Sequence, residues 1–191
     1  MEEIKIPEFV LKIGNGAFSF DRCITRITIP SSVYEVGINP FSNCDSLEYI
    51  YVEPDNERYA HIDGVLFDKD NKALVAYPVK KADYEHDIPN GIAQIGTEAS
   101  EDNEMLNIIH IRDTVKYIDE EAFYSCSSLS EVTIPLSVVQ VGERAFLWVP
   151  TRVTVPEFDT KIGESAFYGN DQILVIQRDS YVATYAKNNN V

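Results

Sequence analysis

Cysteine, histidine and clustered carboxylates are the residues here that could act as nucleophile, base or metal ligand, and their spacing argues against that chemistry. Cysteines stand at 23, 44 and 126, and histidines at 61, 86 and 110. A structural zinc site needs closely spaced ligand pairs, and the chain has no Cys-x-x-Cys. A cysteine nucleophile needs a histidine beside it, and nothing in the sequence places one next to Cys23. The chain has no Gly-x-Ser-x-Gly elbow, phosphate-cradling glycine loop or His-Glu-x-x-His motif. Asp68-Lys69-Asp70-Asn71-Lys72 alternates like a calcium loop. However, Lys72 occupies a ligand position, the required Gly is missing and no Glu closes the loop, so it reads as a polar hairpin turn. Glu98, Glu101, Asp102 and Glu104 form an acidic cluster, and Glu120, Glu121, Glu143 and Glu164 flank expected helical turns. Favourable helix dipoles are a sufficient role for them. No enzymatic activity, cofactor or metal is expected.

Composition narrows the partners. The 191 residues are 45% hydrophobic and 25% charged, as in a folded soluble chain. The net charge of −15 argues against nucleic acid and anionic membranes, leaving basic or neutral protein surfaces. No apolar run reaches the roughly 18 residues of a spanning helix. The acidic start Met1-Glu2-Glu3 is not a signal peptide.

The elements that position any surface come from an internal repeat. Ile13-Gly14, Val36-Gly37, Ile95-Gly96, Ile118-Asp119, Val141-Gly142 and Ile162-Gly163 recur in phase. Each is followed by an Ala-Phe-type pair or its variant, then by apolar positions such as Leu129, Val132 and Ile134, and often by Pro. The interval is 23 residues from Gly14 to Gly37, from Gly96 to Asp119 and from Asp119 to Gly142, and 21 to Gly163. Gly37 to Gly96 spans 59, one period plus an insertion over roughly residues 53–89. Units of this length stack because none buries its apolar face alone. Period-two alternation makes Leu129–Pro135 a half-buried strand, and Ala-Phe reads as the start of a short helical turn. The Gly position, filled once by Asp119, predicts positive φ at Gly14, Gly37, Gly96, Asp119, Gly142 and Gly163. Phe18, Phe41, Phe123, Phe146 and Phe167 predict a buried aromatic ladder, interrupted at Ser100, where Met105, Leu106 or the insertion would fill the space. Cys44 and Cys126 share a phase two layers apart, too far for a disulfide, and read as small buried hydrophobes.

Val115-Lys116-Tyr117-Ile118-Asp119 through Ala122-Phe123, Cys126, Leu129, Val132, Ile134 and Pro135 resembles the BspA-like leucine-rich repeat at nearly every position. The likeness extends over about residues 4–191. It implies a right-handed leucine-rich repeat solenoid, α/β or mostly β, of about six 23-residue repeats. The expected layout is a partial repeat (1–7), repeats 8–52, an inserted β-hairpin region (53–89), repeats 90–178 and a C-terminal helical cap (179–191) within one domain. It also implies a bacterial cell-surface or secreted protein that adheres to other proteins without catalysis. Ile4-Lys5-Ile6-Pro7 reads as the end of a repeat whose beginning is missing, so a piece of a longer protein is expected.

Outward residues of the strands should align on one concave face. Tyr and Arg are the types most enriched at binding hot spots. The candidate partner-binding residues are therefore Arg26, Tyr49, Tyr51, His110, Arg112, Glu131 and Arg152, facing a protein such as a host or neighbouring-cell surface protein. Ordinary cross-strand pairing, Arg26 with Tyr49 or Arg112 with Glu131, would account for the same residues. The alternatives in function are a structural spacer, or a carbohydrate-binding module stacking sugars on Tyr49 and Tyr51.

Overall fold

The computed structural model describes residues 2–150, 152–155, 160–169 and 172–175. Seventeen strands and no helix occur among these residues. The helical cap expected over 179–191 lies outside them.

The strands stack in parallel, one coil upon the next. One face carries two sheets: β1 (Glu2–Lys5), β3 (Ile24–Ile29) and β5 (Tyr49–Val52), then β9 (Glu85–Asp87), β11 (Ile108–His110), β13 (Glu131–Thr133), β15 (Arg152–Val155) and β17 (Gln172–Val175). Short strands precede the glycine positions: β2 (Lys12–Ile13) with β4 (Glu35–Val36), and β10 (Gln94–Ile95), β12 (Tyr117–Ile118), β14 (Gln140–Val141) and β16 (Lys161–Ile162). The alternation in β13, with Val132 buried between exposed Glu131 and Thr133, is the period-two pattern of a half-buried strand.

The insertion is more than a hairpin. β6 (Tyr59–Ile62), β7 (Val65–Asp68) and β8 (Ala73–Ala76) form an antiparallel meander, and β8 then pairs in parallel with β10. β9 follows and joins the five-stranded sheet, so the insertion contributes a coil of its own. Tyr77 takes the aromatic position in that coil: its N–H donates to Ala99 O (2.7 Å), as Phe123 N–H donates to Ala145 O (2.8 Å). The polar stretch from Asp68 to Lys72 is a turn, with Asp68 Oδ1 accepting the N–H groups of Asp70 and Asn71, both at 2.9 Å.

The Ala-Phe segments are overlapping β-turns, not helical turns. Tyr124 N–H bonds Glu121 O and Cys126 N–H bonds Phe123 O, whereas Glu121, Phe123 and Ser125 donate to the next coil. This alternation needs left-handed residues two and six positions after the glycine, as at Glu121 (φ 55) and Ser125 (φ 57), or Glu98 (φ 56) and Asp102 (φ 55). None of the six positions expected to have positive φ has it. Gly37, Gly96, Gly142 and Gly163 serve close approach instead. Gly142 N–H donates to Ile118 O at 2.7 Å, and a Cβ on Gly142 would lie 2.5 Å from Asp119 C. Gly163 is as tight, at 2.4 Å from Glu143 N. Asp119 makes the same bond to Ile95 O, and its carboxylate accepts the Gln94 amide.

The interior falls into two clusters. Ile6 to Val52 with Tyr59, Leu66 and Ala76 make one, and Val65, Phe67, Leu74 and the later coils the other. β7 is the wall between them, all four of its residues buried. The aromatic ladder forms in both: Phe18–Phe41 at 5.7 Å, Phe123–Phe146 at 5.1 Å and Phe146–Phe167 at 5.5 Å between ring centres. Beside Ser100, Leu106 is fully buried and Met105 exposed, so Met105 fills nothing. Cys44 and Cys126 lie in different clusters, separated by the extra coil, and are unpaired. Each thiol donates to a carbonyl of the preceding coil, Cys44 to Phe18 O and Cys126 to Ser100 O, both at 3.0 Å. Burial pushes the Cys44 thiol up to about 11 and Cys126 to about 12, so both stay protonated and inert.

Candidate interaction surface

The expected face is not continuous. β5 presents Ile50 and Val52 N–H to Gly64 O and His61 Nδ1, both at 3.0 Å, so the meander seals the edge that a further coil would extend. Tyr49 and Tyr51 are half-buried beneath it, with His61 at 5.7 and 4.8 Å from their ring centres. Arg26 stacks on Tyr49 at 4.9 Å. A Cβ on Gly64 would lie 2.5 Å from Tyr49 Cδ2, so glycine is needed there to seat the ring. The two tyrosines are packed against His61 with Arg26 exposed above Tyr49, and a sugar platform at Tyr49 and Tyr51 would have to displace His61.

His110, Glu131 and Arg152 belong to the five-stranded sheet, and Arg112 lies two residues past the end of β11. Register sets Glu85, Ile108, Glu131, Arg152 and Gln172 side by side in one row. The row beside it includes Asp87 and His110. His110 Nε2 lies 2.5 Å from Glu85 Oε1, and Arg112 Nη2 donates to Asp87 Oδ1 at 2.8 Å. Arg112 thus pairs back to Asp87, not to Glu131 as the repeat alignment suggested. Glu85, Asp87, His110, Arg112 and Glu131, but not Arg152, line an open groove of about 1040 Å³, walled also by Leu136 and Thr154. Glu85 and Asp87 are the members that sequence reasoning missed. The available signal was Ile88-Pro89, the usual strand ending, disguised by His86 in place of an apolar residue.

Behind β9, Lys81 is 8% exposed and bridges Asp63 Oδ2 (2.7 Å) and Asp83 Oδ2 (3.0 Å). The Tyr77 hydroxyl donates to Asp83 at 3.1 Å, and His86 Nδ1 lies 3.6 Å from the same carboxylate. Burial holds the His86 imidazole below its ordinary value, against the pull of Asp83. This network ties the meander turn to the inserted coil. Its buried members, Tyr77, Lys81 and His86, do not line the groove, so its role is structural.

A second charged feature runs along the turn edge. Carboxylate oxygens of Glu98, Glu101 and Glu121 lie within 4.8 Å of one another. Burial, and then Asp102, push Glu101 up to about 7. The Asn39 amide donates to Glu98 at 2.7 Å and also to Glu101, and Arg144 Nη1 pairs with Glu121 at 3.1 Å. The expected helix dipole is absent here; an amide at one end and a guanidinium at the other offset the repulsion.

Residues 1–72 and 84–188 match the BspA type Leucine rich repeat region in 6 copies. The chain belongs to the BspA-type leucine-rich repeat family. The BspA-type match skips residues 73–83, where the inserted coil carries Tyr77 and Lys81 in place of repeat residues. Solved structures agree on the fold. A leucine-rich repeat protein from Eubacterium ventriosum superposes with a TM-score of 0.75 at 22% identity, over 90% of this chain and 54% of its own. A leucine rich cell surface protein from Faecalibacterium prausnitzii gives 0.64 at 27% identity, over 97% of this chain and 62% of its own. The pneumococcal vaccine antigen PcpA gives 0.63 at 24% identity, over 92% and 56%. This chain therefore spans between about half and three-fifths of those proteins' lengths. No curated protein matches it.

Proposed function

We propose that this repeat scaffold is a non-catalytic protein-binding module of a bacterial surface or secreted protein, engaging its partner through the five-stranded face. The carrying observation is the groove on β9, β11 and β13, where an exposed Arg112–Asp87 ion pair and a His110–Glu85 hydrogen bond stand beside Glu131. Side chains already ordered by pairing lose less freedom when a partner docks. The Faecalibacterium cell surface protein, a relative in fold, supports the location. Arg26, Tyr49 and Tyr51 are not part of this surface in the proposal, because they lie on the separate β1–β3–β5 sheet and the meander packs on the two tyrosines.

Arg112→Ala combined with Glu131→Ala should weaken binding to a cognate surface protein on the order of tenfold, with unfolding unchanged. Binding measured by surface plasmon resonance against a panel of host and neighbouring-cell surface proteins tests this. Equal affinity of the variant for every binder in the panel would move the site off this face.

A further inference from the structure

On successive coils the turn edge ends in aromatic side chains: Tyr124, Trp148 and Tyr168. Trp148 is the chain's single tryptophan and is 55% exposed. Its ring centre lies 5.4 Å from that of Tyr124 at 51°. Trp148 N–H donates to Tyr168 O at 3.0 Å, which sets the exposed Tyr168 on the adjoining coil. A Cβ on Gly169 would lie 2.7 Å from Trp148 Cδ1, so the missing side chain leaves room for the indole. The equivalent position holds Asn43, Asp102 and Ser125 in other coils, so the fold does not require an aromatic residue there.

The surroundings are strongly acidic. Asp102 N–H donates to Tyr124 O, which puts Asp102 on the coil beside the ridge. Glu98, Glu101 and Glu121 cluster on the same edge, and Arg144, paired with Glu120, Glu121 and Glu143, is the cation among them. Indole and phenol faces attract cations, and carboxylates beside them add to the attraction. A neutral sugar would use the ring faces but gain nothing from the charge, and a phosphate would be repelled.

We propose that this edge is a second interaction surface, separate from the strand face, that receives a Lys/Arg-rich segment of a partner protein. Its cationic heads stack on Trp148 and Tyr124, with Asp102 as the counter-charge.

The lone tryptophan reports on its own site. A hexa-arginine peptide acetylated and amidated at its ends should change Trp148 emission saturably at low salt, with the change weakened by raised salt. By calorimetry, Trp148→Ser should lower affinity about threefold to fivefold. Serine already occupies the same left-handed position at Ser125, so this variant should keep the parent's unfolding transition. Asp102→Asn should lower affinity about threefold to fivefold. Glu3→Gln, the same charge removal on β1, should change it by less than about twofold. Four outcomes would overturn the proposal: unchanged Trp148 emission with the peptide, unchanged affinity in folded Trp148→Ser, equal loss in the β1 control, or a neutral chitohexaose that shifts the emission where the peptide does not.

Discussion

At the scale of single residues, each glycine is read by what its missing side chain avoids. A Cβ on Gly142 would meet backbone 2.5 Å away, whereas one on Gly14 meets nothing within 4 Å. Gly142→Ala should therefore cost about 2 kcal/mol or more, and Gly14→Ala should fall within about 0.5 kcal/mol of the parent, in denaturant unfolding. Equal effects would show that the coils are not in such close contact. His86 stands in the row occupied by Ile109 in the next coil, buried and held below its ordinary 6.5 by desolvation. The groups facing it are Asp83, Lys81 and Asp63, with the Tyr77 ring at 4.9 Å. The unfolded chain takes up a proton near pH 6.5 and the folded chain does so only lower, so stability is full above that value and falls as pH drops through the lowered one. His86→Ile should flatten this decline between about pH 7 and 5, as read from urea midpoints at each pH. A parallel decline in the variant would place the titration elsewhere.

At the scale of elements, the aromatic ladder links successive coils through Phe18–Phe41, Phe123–Phe146 and Phe146–Phe167. Phe123→Ala should cost about 3–5 kcal/mol, because the ring is fully buried and stacked 5.1 Å from Phe146. Thermal and denaturant unfolding that matched the parent would contradict its burial. This part of the fold was legible because Phe, Ile and Val recur at fixed intervals, and stacking needs nothing else from the local sequence. The turn conformation was misread, since glycine is selected equally by positive φ and by close approach, and the residue type alone does not separate the two. The inserted coil was hidden for another reason. Tyr77, Lys81 and His86 stand where apolar residues recur elsewhere, and their burial depends on Asp63 and Asp83, with Asp63 reaching across from the meander turn. No local pattern announces such partners, so Glu85 and Asp87 were lost from the candidate site with the strand that holds them.

At the scale of the whole molecule, the two interiors share one wall. Leu66 belongs to the first cluster, and its neighbours Val65 and Phe67 to the second. Leu66→Ala should speed amide exchange in β1, β3 and β5, and Phe67→Ala should do so in β9, β11 and β13, each by about 2–5 kcal/mol of local protection. Uniform acceleration throughout the chain in either variant would mean that the halves open as one. The meander also changes what duplication can do to such an array. A further 23-residue unit spliced beyond β10 would extend one stack while leaving the pairing of β1, β3 and β5 untouched, because those strands form a separate sheet on the far side of the meander. Either arm can thus gain or lose units in evolution without obliging its counterpart to follow.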